Sequence, residues 1–311
     1  MEENKNALSK YSPLEIAKII GECKDPRKPY TNLQMAVCET DTAAPEDYVY
    51  YFDVLLDTDV IYTITSTGEL TQANVTPDSP EAITFIDISS PEYYVKITDL
   101  TKKKEDVLAR KTITLNRAMN AYENRLIVSA IDGAVQTANK FQLSTGKTTF
   151  TYKNLIDMID VVQDYGDKFV LIAGTAVAKD IVLWDWNDNK YTSLAAALQA
   201  LNIETLRINQ TVTIDGTSTA VVPTTKAYLV ATNTEVGKPV LFVRKKLDSV
   251  SILGGLINEA GDAPERLVIT SLNPITVFTG SKRYLGVGVT GFEEIAIAIT
   301  NPYALSMFTR A

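Results

Sequence analysis

The chain has 311 residues, 45% of them hydrophobic, with a formal net charge of −8 and no histidine. That length and apolar content suit two domains or one elaborated domain and exclude a disordered chain. The 30 basic residues are scattered apart from Lys102–Lys104 and Arg244–Lys246, so there is no nucleic-acid footprint; without histidine, any catalysis would rest on carboxylates, lysine, tyrosine or serine.

No apolar run reaches the ~18 residues of a membrane span. The opening MEENKNALSKYSPLEIAK lacks the basic start and apolar block of a signal peptide, so a soluble chain made in a cytoplasm, with no membrane partner, is expected. Cys23 and Cys38 make a disulfide framework unsupported and sit among no metal ligands; neither a metal nor a cofactor is expected.

Residues 1–47 read as an arm. Pro13–Gly21 (PLEIAKIIG) is one short amphipathic helix, followed by the polar run CKDPRKPYTN, a small apolar patch at Leu33–Val37 and the loop ETDTAAPED. So little apolar surface is ordered only by docking on a larger body, its own or a neighbouring copy's. Tyr48–Ile64 and Ile83–Ile97 are rich in β-branched and aromatic residues and read as strands, while TSTGELTQANVTPDSPEA between them is polar with two prolines. The pair reads as a projecting hairpin, which is marginal alone in water and needs a surface to lie on.

Lys102–Arg110 (KKKEDVLAR) reads as a charged connector into the longest helical pattern, Ile113–Gln142. Apolar or small residues recur there at Leu115, Met119, Tyr122, Leu126, Ala130 and Ala134, with a second row at Ile127, Ile131, Val135 and Ala138. Thr114 or Asn116 is the expected N-cap. At about 1.5 Å per residue the helix would span roughly 45 Å. STGKTT at 144–149 lacks the glycine spacing of a phosphate-binding loop and reads as a turn.

Residues 150–274 read as an α/β unit: helix Tyr152–Tyr165 with Gly166 as a left-handed stop, buried strand Lys168–Ala173, helices Ala176–Trp184 and Ser193–Leu201, then strands Glu204–Ile214, Lys226–Ala231 and Pro239–Arg244. Asp180, Asp185 and Asp188 are the candidate carboxylates of an enzyme, with Asp185 and Asp188 lying beside two tryptophans in what reads as a solvated turn. Arg266–Ala311 is again β-rich, Glu294–Thr300 alternating cleanly before an Asn-Pro corner. These strands lack helices of their own and are expected to form the antiparallel sheet under the long helix.

The order of arm, hairpin, long helix, inserted α/β unit and returning strands resembles the major capsid proteins of tailed phages, the Hong Kong 97 fold. Its most telling pieces are ENRLIVSAIDG, YGDKFVLIAGTAVAKDI and ITNPYALSMFTR, the last resembling that family's closing peripheral strand. The resemblance implies an α+β fold with an N-arm at 1–47, an E-loop and flanking strands at 48–105 (the loop itself at 57–91), a peripheral-domain spine helix at 106–150, an axial domain at 151–274 and returning peripheral strands at 275–311. It implies no enzyme, but self-assembly into pentamers and hexamers of an icosahedral shell around double-stranded DNA, in a virion built in a host cytoplasm, with a portal and decoration proteins as possible partners.

Some members crosslink through an E-loop lysine, but 57–94 here has no lysine, so no such crosslink is expected. The arm starts at a methionine after no long leader, so a separate scaffolding protein is expected. The segments expected to touch neighbours are the arm, through Leu14, Ile16 and Ile20, and the loop tip, through Thr67, Leu70, Val75, Pro77 and Pro80. The rival readings are an encapsulin-like compartment enclosing enzymes, a histidine-free α/β enzyme, and a monomeric tail or baseplate component.

Overall fold

A computed structural model describes residues 32–54, 80–90, 93–96, 104–142, 149–184, 193–208, 210–214, 217–234, 237–247, 266–270, 275–279 and 282–310. In chain order these form α1 (Leu33–Val37), β1 (Cys38–Ala43), β2 (Val49–Asp53), β3 (Pro80–Thr84), β4 (Ile86–Ser89), β5 (Tyr93–Lys96) and the long α2 (Lys104–Ala134). Then come β6 (Lys140–Gln142), α3 (Tyr152–Asp160), β7 (Phe169–Ala173), α4 (Thr175–Val182), α5 (Leu194–Ala200), β8 (Ile203–Arg207), β9 (Thr211–Ile214) and β10 (Thr217–Ala220). The rest are β11 (Lys226–Ala231), β12 (Val240–Lys245), β13 (Arg266–Thr270), β14 (Ile275–Thr279), β15 (Lys282–Ile299) and β16 (Leu305–Thr309).

The long helix exists, shifted toward the N-terminus. It takes in Lys104–Arg110 of the charged stretch expected to be a connector and spans 31 residues. Thr114 is therefore interior and caps nothing; its hydroxyl donates to the Arg110 carbonyl at 2.8 Å. Leu115, Met119, Ile127, Val128 and Ile131 are buried, as their spacing requires. The helix stops at Ala134 although the apolar rows continue. Gln136 is extended, a single 3-10 turn follows, and Lys140–Gln142 becomes a strand. Asn139 holds that exit by donating its side-chain amide to the Leu305 carbonyl at 3.0 Å, and Ala138 is left exposed.

Two sheets share the helix. In the seven-stranded sheet β15 is the common strand: β14, β13 and β12 pair successive stretches along one edge, and β5 and β4 along the other. β1 adds in parallel to β12, from Cys38 opposite Val240 to Ala43 opposite Lys245. The five-stranded sheet has the order β6-β16-β11-β7-β8. Gly291 on β15 lets the helix lie close: a Cβ there would stand 2.5 Å from both Leu115 Cδ2 and Met119 Sδ.

Two strands join sheets other than the ones expected. Tyr303–Thr309 is expected as a strand beside the returning strands, but only Leu305–Thr309 is a strand and it lies between β6 and β11, because Leu305, Ser306, Met307 and Phe308 are all buried and such a run belongs inside a sheet covered on both faces. Pro239–Arg244, expected in the α/β unit, is β12 of the seven-stranded sheet; the crossing from β11 runs through a turn at Gly237, whose φ of +94° is left-handed. Gly166 is extended, with φ 175°, and not the left-handed stop expected; α3 ends at Asp160 before a 3-10 turn. The descending strand expected over Ile83–Ile97 divides, its first part pairing with β2 while β4 and β5 join β15.

One core runs along the helix between the sheets, joining Leu115, Met119, Ile127 and Ile131 to Val240, Phe242 and Ile295 of one and Val170, Tyr228, Val230 and Leu305 of the other. The opposite face of the five-stranded sheet packs Leu171, Leu229 and Phe308 against Leu155, Met158, Val177 and Ile181 of α3 and α4.

Candidate assembly surfaces

The arm's described part docks on its own body. Asn32 caps α1 by accepting from the Gln34 N–H at 3.0 Å. Leu33 and Val37 are fully buried, and the Leu33 N–H donates to Asn124 Oδ1 of the long helix at 3.2 Å. Lys238 donates to the Met35 carbonyl at 2.6 Å, while the Met35 side chain is 78% exposed.

Beside this dock lies a buried cluster of charges. Arg244 Nη2 donates to Glu123 Oε1 at 2.6 Å and to Gln34 Oε1 of α1 at 3.2 Å. Arg266 reaches Glu123 Oε1 at 3.0 Å, Glu293 Oε2 at 2.6 Å and Asn120 Oδ1 at 2.6 Å. Burial and the nearby Glu123 push the Glu293 carboxyl up, against the pull of Arg266. Burial works against the Arg266 charge, but Glu123 and Glu293 outweigh it and hold the guanidinium above its ordinary value. Two glutamates balance two arginines, which keeps the set tolerable out of water.

The other face of the seven-stranded sheet carries the hairpin base. β2 and β3 pair from Val49 opposite Thr84 to Asp53 opposite Pro80. Tyr50, Phe52, Ile83 and Phe85 pack on Ala43, Leu241, Val243, Ala296 and Ala298. Lys245 Nζ sits 5.3 Å from the Tyr48 ring centre and 5.5 Å from that of Phe85, and pairs with Glu294 at 2.9 Å. The Tyr50 hydroxyl donates to Asp41 of β1, a bond that, with burial, pushes the phenol up to about 12. Tyr51 faces outward and is 72% exposed.

At the far end of the long helix, Asp132 accepts from Lys226 Nζ at 2.6 Å and Tyr228 OH at 2.7 Å. Burial opposes its ionisation, but these two hydrogen bonds outweigh it and hold the carboxyl below the ordinary value of 3.8. The clamp ties the helix end to β11.

Of the residues expected to touch neighbours, Leu14, Ile16, Ile20, Thr67, Leu70, Val75 and Pro77 lie outside the described residues. Pro80 opens β3. Asp185 and Asp188 also lie outside them, whereas Asp180 is buried in a structural role, accepting from the Phe150 N–H at 2.9 Å and pairing with Arg310 at 3.4 Å. Among the described residues no cluster of three metal-ligating side chains stands together, and no helix is long and apolar enough to cross a membrane. The reasoning from sequence missed Glu123, Arg266 and Glu293. The signal available was a pair of adjacent glutamates, Glu293 and Glu294, inside β15 just ahead of its apolar stretch Ile295–Ile299.

No family model matches the chain, and neither does any curated protein. Solved structures do. A capsid structure of the cyanophage P-SCSP1u matches at TM-score 0.56 and 10% identity over 94% of this chain and 91% of that one. A putative capsid protein from a prophage of E. coli CFT073 matches at TM-score 0.55 and 10% identity over 97% and 99%. A virus-like particle from Pyrococcus furiosus matches at TM-score 0.50 and 12% identity over 94% and 95%. At such identities the likeness is one of fold, and it runs over nearly the whole length of each chain. The chain has the α+β fold of tailed-phage capsid proteins.

Proposed function

We propose that the chain is a major capsid protein that assembles, through pentamers and hexamers, into an icosahedral phage head around double-stranded DNA. The observation that carries this reading is the match to phage capsid structures over nearly the whole length of each chain. The division into arm (1–47), E-loop and flanking strands (48–105), spine (106–150), axial domain (151–274) and returning strands (275–311) is the corresponding plan, with β12, β13 and β16 joining sheets across its boundaries. Leu14–Ile20 and Thr67–Pro80 are the proposed neighbour contacts, so deleting Thr71–Ser79 leaves a foldable subunit that assembles poorly. The acidic net charge suits a wall against which packaged DNA slides, since a strongly basic surface would hold the polyanion. A separate scaffolding protein, a portal and decoration proteins complete the proposed particle.

An encapsulin-like compartment enclosing enzymes is the second reading, and the match to a virus-like particle fits it as well as it fits a phage head. Purified particles separate the two: nuclease-protected DNA supports the phage head, and a co-purifying enzyme supports the compartment. On a denaturing gel the subunit is expected to run as a 34.2 kDa monomer. Covalent ladders there would contradict the expected absence of an E-loop crosslink.

A further inference from the structure

We propose that the neighbouring pairs Arg244–Lys245 on β12 and Glu293–Glu294 on β15 form a charge rung through the seven-stranded sheet, coupling the hairpin base on one face to the long helix and arm on the other. Adjacent residues of a strand point to opposite faces. Arg244 accordingly reaches Glu123 and Gln34 on the helix side, and Lys245 reaches Glu294, Tyr48 and Phe85 on the hairpin side. Glu293 meets Arg266 on the helix side while its neighbour Glu294 meets Lys245. The β12–β15 register, with Arg244 opposite Ile295, holds both sets at once.

A slip of one residue in β12 would send Arg244 to the hairpin and Lys245 to the buried glutamates, breaking the contacts of both faces together. A local change in twist at this rung moves both partners in the same way. The coupling therefore passes through two hydrogen-bonded strands and not through the loops that join the hairpin to the arm. A competing path exists on the hairpin side alone: the Tyr50 bond to Asp41 leads directly to β1 and so to α1. The inference does not depend on the chain building a shell.

Hydrogen exchange on the purified full-length chain tests it. Lys245→Met is expected to speed exchange in Val49–Asp53 and Pro80–Thr84 and also, across the sheet, in Leu33–Val37, by roughly twofold to thirtyfold. Lys245→Arg keeps the cation and is expected to restore protection on both faces. Coupling of this kind is reciprocal, so Glu123→Gln, made on the helix face, is expected to loosen the hairpin strands. Lys153→Met, at an exposed pair with Asp157 on α3, is the control that leaves both regions unchanged. If Lys245→Met does not fold, the Glu123→Gln arm of the experiment decides alone. The rung is overturned if each variant loosens only its own face, or if Tyr50→Phe frees the arm while Lys245→Met does not.

Discussion

The two sheets that share the long helix are held in different ways. In the five-stranded sheet every residue of β7 is buried, as are all of β11 after Lys226 and all of β16 before Thr309. Its two faces are apolar, and its one described tie to the helix through charge is the Asp132 clamp near the helix end. The seven-stranded sheet shares that apolar core through Val240, Phe242 and Ile295 but adds charge on both faces, Glu123 of the helix with Arg244, Arg266 and Glu293 on one and Lys245 with Glu294 on the other. Apolar contact rewards burial without regard to direction, whereas charge-assisted hydrogen bonds fix orientation. The charged contacts of the second sheet orient the described part of the arm, through Gln34, and the hairpin base, through Tyr48 and Phe85.

Substitutions can break that contrast. Leu171→Ala, in the middle of β7 and fully buried, is expected to cost about 2–5 kcal/mol in urea unfolding, the largest of the set. Glu123→Gln weakens the bonds to two arginines at once; because those guanidinium groups keep some solvent, the expected cost is about 1–3 kcal/mol. Glu293→Gln should cost less than Glu123→Gln, since Glu123 still faces Arg266; equal costs would mean the cluster does not centre on Glu123.

Asp132→Asn is expected to cost about 1 kcal/mol at neutral pH. The Asp132 carboxyl is held below its ordinary value when folded, so its contribution is present above pH 3.8 and is lost as pH falls below that toward the folded value. Glu293 works the other way. Its folded value lies above the ordinary 4.5, so its buried charge is a cost above that folded value, relieved as pH falls through it. Acid titration of Asp132→Asn should therefore lose part of the acid destabilisation, and Glu293→Gln should steepen it. The smallest effect on stability, within about 0.5 kcal/mol, is expected for Tyr51→Ser on the exposed face of the hairpin base. If that face contacts a neighbour, shell yield falls while the melting temperature holds.

The apolar rows of the long helix announced its core, because Leu115, Met119, Ile127 and Ile131 follow the helical period and are buried. Its ends were not legible. KKKEDVLAR has charges where a linker would, yet nothing in it stops a helix, and at the other end Val135 and Ala138 continue the period while Asn139 pulls the chain away through a bond to a residue 166 positions distant. Strand existence was read from local composition, but the sheets of Leu305–Thr309 and Val240–Lys245 depend on partners far along the chain. The charge cluster was hidden for the same reason: Glu123, Arg244, Arg266 and Glu293 come from four separate elements, and only folding makes them neighbours.

The central claim is that this is a shell subunit, and negative-stain imaging of the purified full-length protein tests it most directly. Closed particles of uniform diameter are the expected result. A stable monomer of about 34 kDa at high concentration, with no particles in the field, would contradict it.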